Sequence, residues 1–198
     1  VPEHLDSVAA SGPSKLPRYF VFKRYIDFTL CLLLIILLLP LFILIGAVVL
    51  LDVGSPVFFW QRRLGMNGQS FQMHKFRTLK PAYDWRGIPV AATNRVSWVG
   101  DILRKLRFDE LPQLLNVLVG DMSLVGPRPL LPHDQPDDPT LRLMVRPGIT
   151  GCAQVNGGKL LTAEEKNKYD EWYVRNASLW LDIGILARTV LFLFKGER

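Results

Sequence analysis

The chain has 198 residues, a formal charge of +6 and 49% hydrophobic residues, with a pI of about 9.5 and a mean hydropathy of +0.18. That length allows one globular domain plus an additional element. Two cysteines, Cys31 and Cys152, exclude a disulfide framework and suit a reducing compartment, and three scattered histidines give no metal-ligand spacing. The basic balance admits nucleic acid, anionic lipid or phosphorylated small molecules as partners.

Residues 1–17 are rich in Pro, Ser, Ala and Gly and read as a flexible lead-in. Phe28–Leu51 is almost wholly apolar and long enough to cross a bilayer. It is too long for a signal peptide, and no small-residue cleavage site follows it. Pro40 near its middle removes a backbone hydrogen bond. Lys23 and Arg24 precede the segment and Arg62 and Arg63 follow it. Cytoplasmic loops collect such charges, so both ends are expected on the cytosolic side. Two readings stand: a helix broken at Pro40 that re-enters the same face, and a kinked helix that crosses.

Val57–Trp60 and Ser70–Met73 are strand-like runs separated by the turn Gly65-Met66-Asn67-Gly68. Ser97–Leu106 has helical spacing, with Trp98, Ile102, Leu103 and Leu106 on its apolar face. Leu111–Val119 is predicted as a short helix that starts near Pro112. Gly126-Pro127-Arg128-Pro129 is a stiff extended loop. His133–Pro139 is an acidic, proline-rich loop. Ala163–Arg175 reads as a polar helix. Leu179–Phe194 suits a membrane interface or the core better than a span. The fold class expected is α+β and mostly helical: a re-entrant membrane helix, short strands and interfacial amphipathic helices. Its divisions are a lead-in (1–22), the membrane helix (23–52) and a cytosolic catalytic domain (53–198).

The pair Asp109-Glu110 lies between basic Arg104, Lys105 and Arg107 and the predicted helix at Pro112. An acidic cap is the commoner source of such a pair. The setting also suits phosphate chemistry, in which one carboxylate attacks phosphorus and the other holds a metal. Arg128, confined between two prolines, has a planar fork matched to phosphate oxygens, although alone it reads equally as a structural loop arginine.

Several further segments, taken with these, extend from Lys23 to the C-terminus. They include Lys23-Arg24-Tyr25-Ile26-Asp27, Gln61-Arg62-Arg63-Leu64-Gly65, Lys75-Phe76-Arg77-Thr78, Asp109-Glu110-Leu111-Pro112-Gln113, Gly126-Pro127-Arg128-Pro129, Arg146-Pro147-Gly148-Ile149-Thr150-Gly151 and Ser178-Leu179-Trp180-Leu181-Asp182. In this order the chain resembles the bacterial sugar transferase family, the monotopic polyprenyl-phosphate phosphoglycosyl transferases. The resemblance implies transfer of sugar 1-phosphate from a UDP-sugar to polyprenyl phosphate, with release of UMP, at the cytoplasmic face of the bacterial inner membrane. It implies that Asp109 is the nucleophile, through a covalent phosphosugar intermediate, and that Glu110 binds Mg²⁺. Arg128, Arg104, Lys75, Arg77 and Arg146 are then candidates for phosphate binding, and Gln154, Asn156 and Lys159 for donor binding. Pro40 would break the membrane helix, and Lys23, Arg24 and Asp182 would anchor it. Arg62 and Arg63 are assigned to lipid head groups, and Asp27 and Asp170 to structural roles. Membrane lipid, a homodimeric partner and downstream glycosyl transferases complete the expected partners.

The chain departs from the family pattern in four places. Leu39 replaces a frequent serine before the helix proline. Gly157-Gly158-Lys159 stands where Gly-Arg-Asn is usual, so an arginine often assigned to the donor is missing at Gly158. Cys152 replaces a tryptophan, and Asp134 only approximates a carboxylate found near His133. Two other functions compete: an inactive membrane scaffold, against which Asp109, Glu110 and Arg128 argue, and a glycosyl transferase that releases UDP. Nucleic-acid binding is not expected, because the basic residues gather by the apolar segment and the acidic pair rather than along a reading element.

Overall fold

The computed structural model describes residues 18–83 and 86–195, so the lead-in assigned to 1–17 lies outside the described residues. Helix α1 spans Tyr19–Asp52, 34 residues, or about 51 Å at 1.5 Å per residue. It takes in residues 19–22, assigned above to the lead-in, as well as the expected 23–52. It also continues through Pro40 without interruption. A helix break at Pro40 is therefore not seen; the missing proline N–H costs one bond, and the ladder resumes on either side.

One face of α1 is packed along its whole length. Lys23, Asp27, Cys31, Ile45 and Val49 are buried, and Ile35, Leu38 and Phe42 are partly buried between them against the main core. These positions recur every three or four residues, as one helix face requires. The remaining faces stay uncovered, including Leu33, Ile36, Leu37, Ile43, Leu44 and Leu51. Such a helix, long and apolar enough to cross a membrane, with little of its apolar window covered, associates the protein with lipid.

Strands β1 (Phe58–Leu64) and β2 (Ser70–Phe76) form an antiparallel hairpin with Gln61 opposite Met73. Both strands outrun their sequence-predicted spans, because Arg62, Arg63, His74 and Lys75 carry the ladder past the apolar cores. Helix α2 spans Trp98–Lys105, α3 Gln113–Val119, α4 Thr140–Leu143, α5 Cys152–Val155, α6 Ala163–Asn176 and α7 Leu179–Lys195. A parallel pair, β3 (Ser123–Val125) and β4 (Gly148–Thr150), joins segments far apart in sequence. Three-residue strands show no usable alternation, so this pair had no sequence signal.

Two core clusters hold the domain. Tyr173, Val117, Met122, Val125 and Val174 centre the larger one. Ile45, Val49, Val53, Phe76 and Leu103 form the smaller one at the C-terminal end of α1. In α2 only Leu103 of the expected apolar face is buried, and Trp98 is 79% exposed. Helix α6 is amphipathic rather than polar throughout, since Tyr169, Asp170, Tyr173 and Val174 are buried. It opens with a capping box between Thr162 and Glu165.

A buried polar cluster pins α1 to α6 and α7. Asp182 accepts from Tyr19 Oη at 2.7 Å and from Tyr173 Oη at 2.7 Å, and also pairs with Lys23 Nζ. Asp27 accepts from Ser123 Oγ at 2.6 Å and pairs with Lys23 at 3.5 Å. Arg24 turns elsewhere: it donates to the carbonyls of Val117 at 2.5 Å and Leu118 at 2.9 Å. A cation at orphan carbonyls is the expected partner for a helix C-terminus. Gly120 allows this approach, because it has φ +102° and a Cβ there would stand 3.1 Å from the Arg24 guanidinium.

Candidate functional site

The acidic pair sits on a 3₁₀ turn, Phe108–Glu110, just ahead of α3. Arg107 enters that turn in the left-handed conformation (φ 56°, ψ 20°), an uncommon state for an arginine. It reverses the chain between α2 and the turn. Two neighbouring elements then hold the turn in place. Buried Asn116 of α3 accepts from the His74 backbone N–H at 3.0 Å and donates to the Gln72 carbonyl at 2.8 Å, tying α3 to β2. From β2, Lys75 Nζ donates to Glu110 Oε1 at 2.6 Å.

Arg128, held in the loop after β3, lies 3.5 Å from the same Glu110 oxygen. Arg104 donates from Nε to Thr78 Oγ1 at 2.8 Å. That bond needs α2 close to the strand extension, and Gly100 permits it: a Cβ there would stand 2.4 Å from the Thr78 carbonyl oxygen. Arg77 spends its guanidinium on the carbonyls of Leu79 and Ser55, at 3.0 and 2.9 Å.

These residues line a cleft of about 1390 Å³. That exceeds the roughly 300–1,000 Å³ of ordinary small-ligand sites. Lys75, Arg77, Arg104, Asp109, Glu110, Arg128 and Gln154 all face it. Arg63, Arg95 and Arg107 do so too, and sequence reasoning missed them. The signal available for Arg63 was strand alternation: its neighbour Arg62 bonds Ser70 on the exposed face, whereas Arg63 turns to the cleft.

Two expected site residues, Arg146 and Asn156, stand apart. Arg146 donates from Nε to the Gly120 carbonyl at 2.8 Å and joins Arg24 at the α3 C-terminus. Asn156 donates to the Cys152 carbonyl at 2.8 Å and does not line the cleft. The Lys159 side chain lies outside the described residues. Gln154 does line the cleft, and both its amide atoms are buried without a hydrogen-bond partner.

The two adjacent carboxyls are driven in opposite directions. Burial raises the pKa of Asp109; Lys75 and Arg104 pull against that, while Glu110 adds to it. Burial also pushes Glu110 up, but Lys75 and Arg128 outweigh it and hold that carboxyl below its ordinary range. Glu110 is thus a fixed anion in the cationic wall, and Asp109 is the more basic carboxylate beside it. Deeper in the wall, Asp170 pairs with Arg142 at 3.0 Å, and burial lifts its carboxyl to about 7 against the pull of that arginine.

A carboxylate of raised basicity, a neighbouring anion and a ring of guanidinium groups suit attack on a phosphorus whose charge the arginines absorb. Similarity to known proteins agrees. The family model described as bacterial sugar transferase matches residues 18–196. The sugar transferase EpsL of Bacillus subtilis (strain 168) is 45% identical over 173 residues, covering 86% of each chain. The UDP-N-acetylgalactosamine-undecaprenyl-phosphate N-acetylgalactosaminephosphotransferase of Aeromonas hydrophila is 39% identical over 98% of this chain and 48% of its own. The UDP-glucose:undecaprenyl-phosphate glucose-1-phosphate transferase of Escherichia coli (strain K12) is 41% identical over 88% of this chain and 40% of its own. The chain therefore spans most of the Bacillus relative and less than half the length of the other two. A match over nearly every described residue, on a fold that gathers the acidic pair and its arginines into one cleft, makes this chain a member of the bacterial sugar transferase family.

Proposed function

We propose that this protein transfers sugar 1-phosphate from a UDP-sugar to polyprenyl phosphate, releases UMP, and so begins assembly of a membrane glycan. The observation that carries the reading is the Asp109–Glu110 turn set in an arginine-walled cleft, in a chain whose named relatives act on undecaprenyl phosphate.

In the first step a carboxylate oxygen of Asp109 attacks the phosphorus that bears the sugar. A P–O bond to Asp109 forms, the bond to the bridging oxygen breaks, and UMP leaves with that oxygen. In the second step an oxygen of polyprenyl phosphate attacks the same phosphorus. The acyl-phosphate P–O bond breaks, and Asp109 returns as carboxylate. Arg128 and Lys75 stand beside the pair and are suited to hold the phosphate oxygens in line.

Among the described residues no three His, Cys, Asp or Glu side chains cluster for a metal. Magnesium needs few protein carboxylates when substrate phosphates supply the rest, so Glu110 is a fitting ligand for an ion that arrives with the diphosphate. When bound, the ion would neutralise charge on the diphosphate.

The membrane arrangement is read as one in which both ends of α1 stay on the side of the bilayer that holds the domain, with the cleft at the cytoplasmic face. Its support is that both ends of α1 pack on the same domain, Lys23 against α7 and Val49 in the cluster with Phe76 and Leu103. A crossing helix would carry one end to the far side, away from those partners. The experiment is product analysis with Mg²⁺, polyprenyl phosphate and a panel of UDP-sugars. UMP is expected from at least one donor; UDP from every active donor would overturn the reading.

A further inference from the structure

Among the described residues Arg142, on the short helix α4, is the one buried arginine, 5% exposed behind the cleft wall. Its guanidinium joins three segments. Nη2 donates to the Arg128 backbone carbonyl at 2.8 Å and to Asp170 Oδ2 on α6 at 3.0 Å. Nη1 donates to Gln135 Oε1 at 3.4 Å, and Gln135 donates in turn to the Leu131 carbonyl at 3.2 Å. One side chain thus gathers the loop from Arg128 to Gln135 onto α6. Burial works against the Arg142 charge, and Asp170 sustains it. A buried ion pair seldom adds stability over an apolar pair of the same volume, so packing alone does not call for an arginine here.

What the arginine holds is the backbone of the residue beside the acidic pair. Pro127 and Pro129 have no N–H to donate, so this loop is tied down through its carbonyls. The Gly148 N–H donates to the Pro127 carbonyl at 2.9 Å and the Leu64 N–H to the Leu130 carbonyl at 3.3 Å. Between those two ties the peptide plane after Arg128 is held by Arg142. Pro129 fixes its own φ, so a tilt of that plane is passed back to Arg128. The Arg128 side chain has only a loose hold of its own, being 47% exposed and 3.5 Å from Glu110. Its guanidinium is therefore aimed from the backbone, and a misplacement of about 1 Å at a reacting centre can cost about 10²-fold.

We propose that Arg142 is a positioning residue: held in place by Asp170, it grips the Arg128 carbonyl and so sets where the Arg128 guanidinium meets the donor diphosphate. It acts through Arg128 rather than on the substrate. The inference rests on the UDP-sugar reading above.

The test is UDP binding by titration calorimetry to the full chain in nanodiscs with Mg²⁺, alongside denaturant unfolding of each variant. The parent is Asp109→Asn, which blocks chemistry. Arg128→Met and Arg142→Met should each weaken UDP by about tenfold, the scale of a lost charge-assisted hydrogen bond. Arg128→Met/Arg142→Met should stay within about twofold of Arg128→Met, because the second change acts through a residue already removed. Arg142→Met/Asp170→Leu should regain the folding stability that Arg142→Met loses and still bind UDP about tenfold more weakly than the parent. A merely structural pair would give back affinity and stability together, and that result overturns the proposal. So do losses that multiply in the Arg128 and Arg142 double variant, or an Arg142→Met protein that binds UDP as the parent does. If Arg142→Met does not fold, Arg142→Met/Asp170→Leu, with and without Arg128→Met, carries the same comparison. A parent that binds no UDP fails the UDP-sugar reading and the inference with it, whereas a parent that binds UDP leaves the variants to decide the inference alone.

Discussion

Lys75 Nζ and Glu110 Oε1 stand 2.6 Å apart, and that contact fastens the turn carrying Asp109 to strand β2. Lys75 is also the cation that acts most strongly on both carboxyls of the pair. One lysine thus positions the turn and sets how the two carboxyls differ. Glu110 has the direct ion pairs, and Asp109 is left the more basic of the two.

Asp109→Asn should lower turnover on the order of 10³-fold or more, as loss of a covalent nucleophile does. The check is nucleotide release together with intact-protein mass after exposure to donor. Wild-type activity in this variant would remove Asp109 from the chemistry.

The acid limb of kcat/KM should report Asp109. Its pKa is raised, so the attacking carboxylate is present at high pH and is lost as pH falls through a value above the ordinary ~3.9. Glu110 is depressed and stays ionised throughout that range. Lys75→Met removes a cation that lowers Asp109, so the limb should move to still higher pH. A limb that moves down in that variant contradicts the assignment.

Glu110→Gln should raise the Mg²⁺ concentration for half-maximal activity by about tenfold, the scale of one tight carboxylate ligand. A metal titration that coincides with the wild type would take Glu110 out of that role.

Lys23→Met leaves Asp27 and Asp182 buried without their shared cation, and Asp182→Leu leaves Lys23 with Asp27 alone, in a pair whose side chains are 6% exposed. Each should destabilise the folded domain by about 3–5 kcal/mol, and the double variant should recover much of that loss. Denaturant unfolding of the purified protein in nanodiscs measures both. A double variant no better than the worse single would count against a paired-charge role.

Much of the site was legible because its residues are tied to local signals. Asp109 and Glu110 precede a proline-started helix, and Arg128 stands between two prolines. The hairpin showed its turn, and α6 and α7 showed their extents. What escaped depends on distant packing. Arg146 looked like a phosphate ligand, yet it serves carbonyls at the end of α3, a site created only when β4 meets β3. Arg24 looked like a partner of Asp182, yet it occupies the same helix end. Arg63 looked like a lipid contact until the hairpin extended far enough to turn it inward. Asp170 reads as structural from the sequence, and its buried pair with Arg142 agrees. For Pro40 the local rule was outweighed, because packing along one face of α1 keeps the helix continuous.

The most direct test of covalent phosphosugar transfer is to mix the purified protein in nanodiscs with Mg²⁺ and its UDP-sugar, without acceptor. Covalent attack predicts one equivalent of UMP per active site and a sugar-phosphate mass on the peptide containing Asp109. UMP appearing only after polyprenyl phosphate is added, with no adduct on the protein, would contradict it.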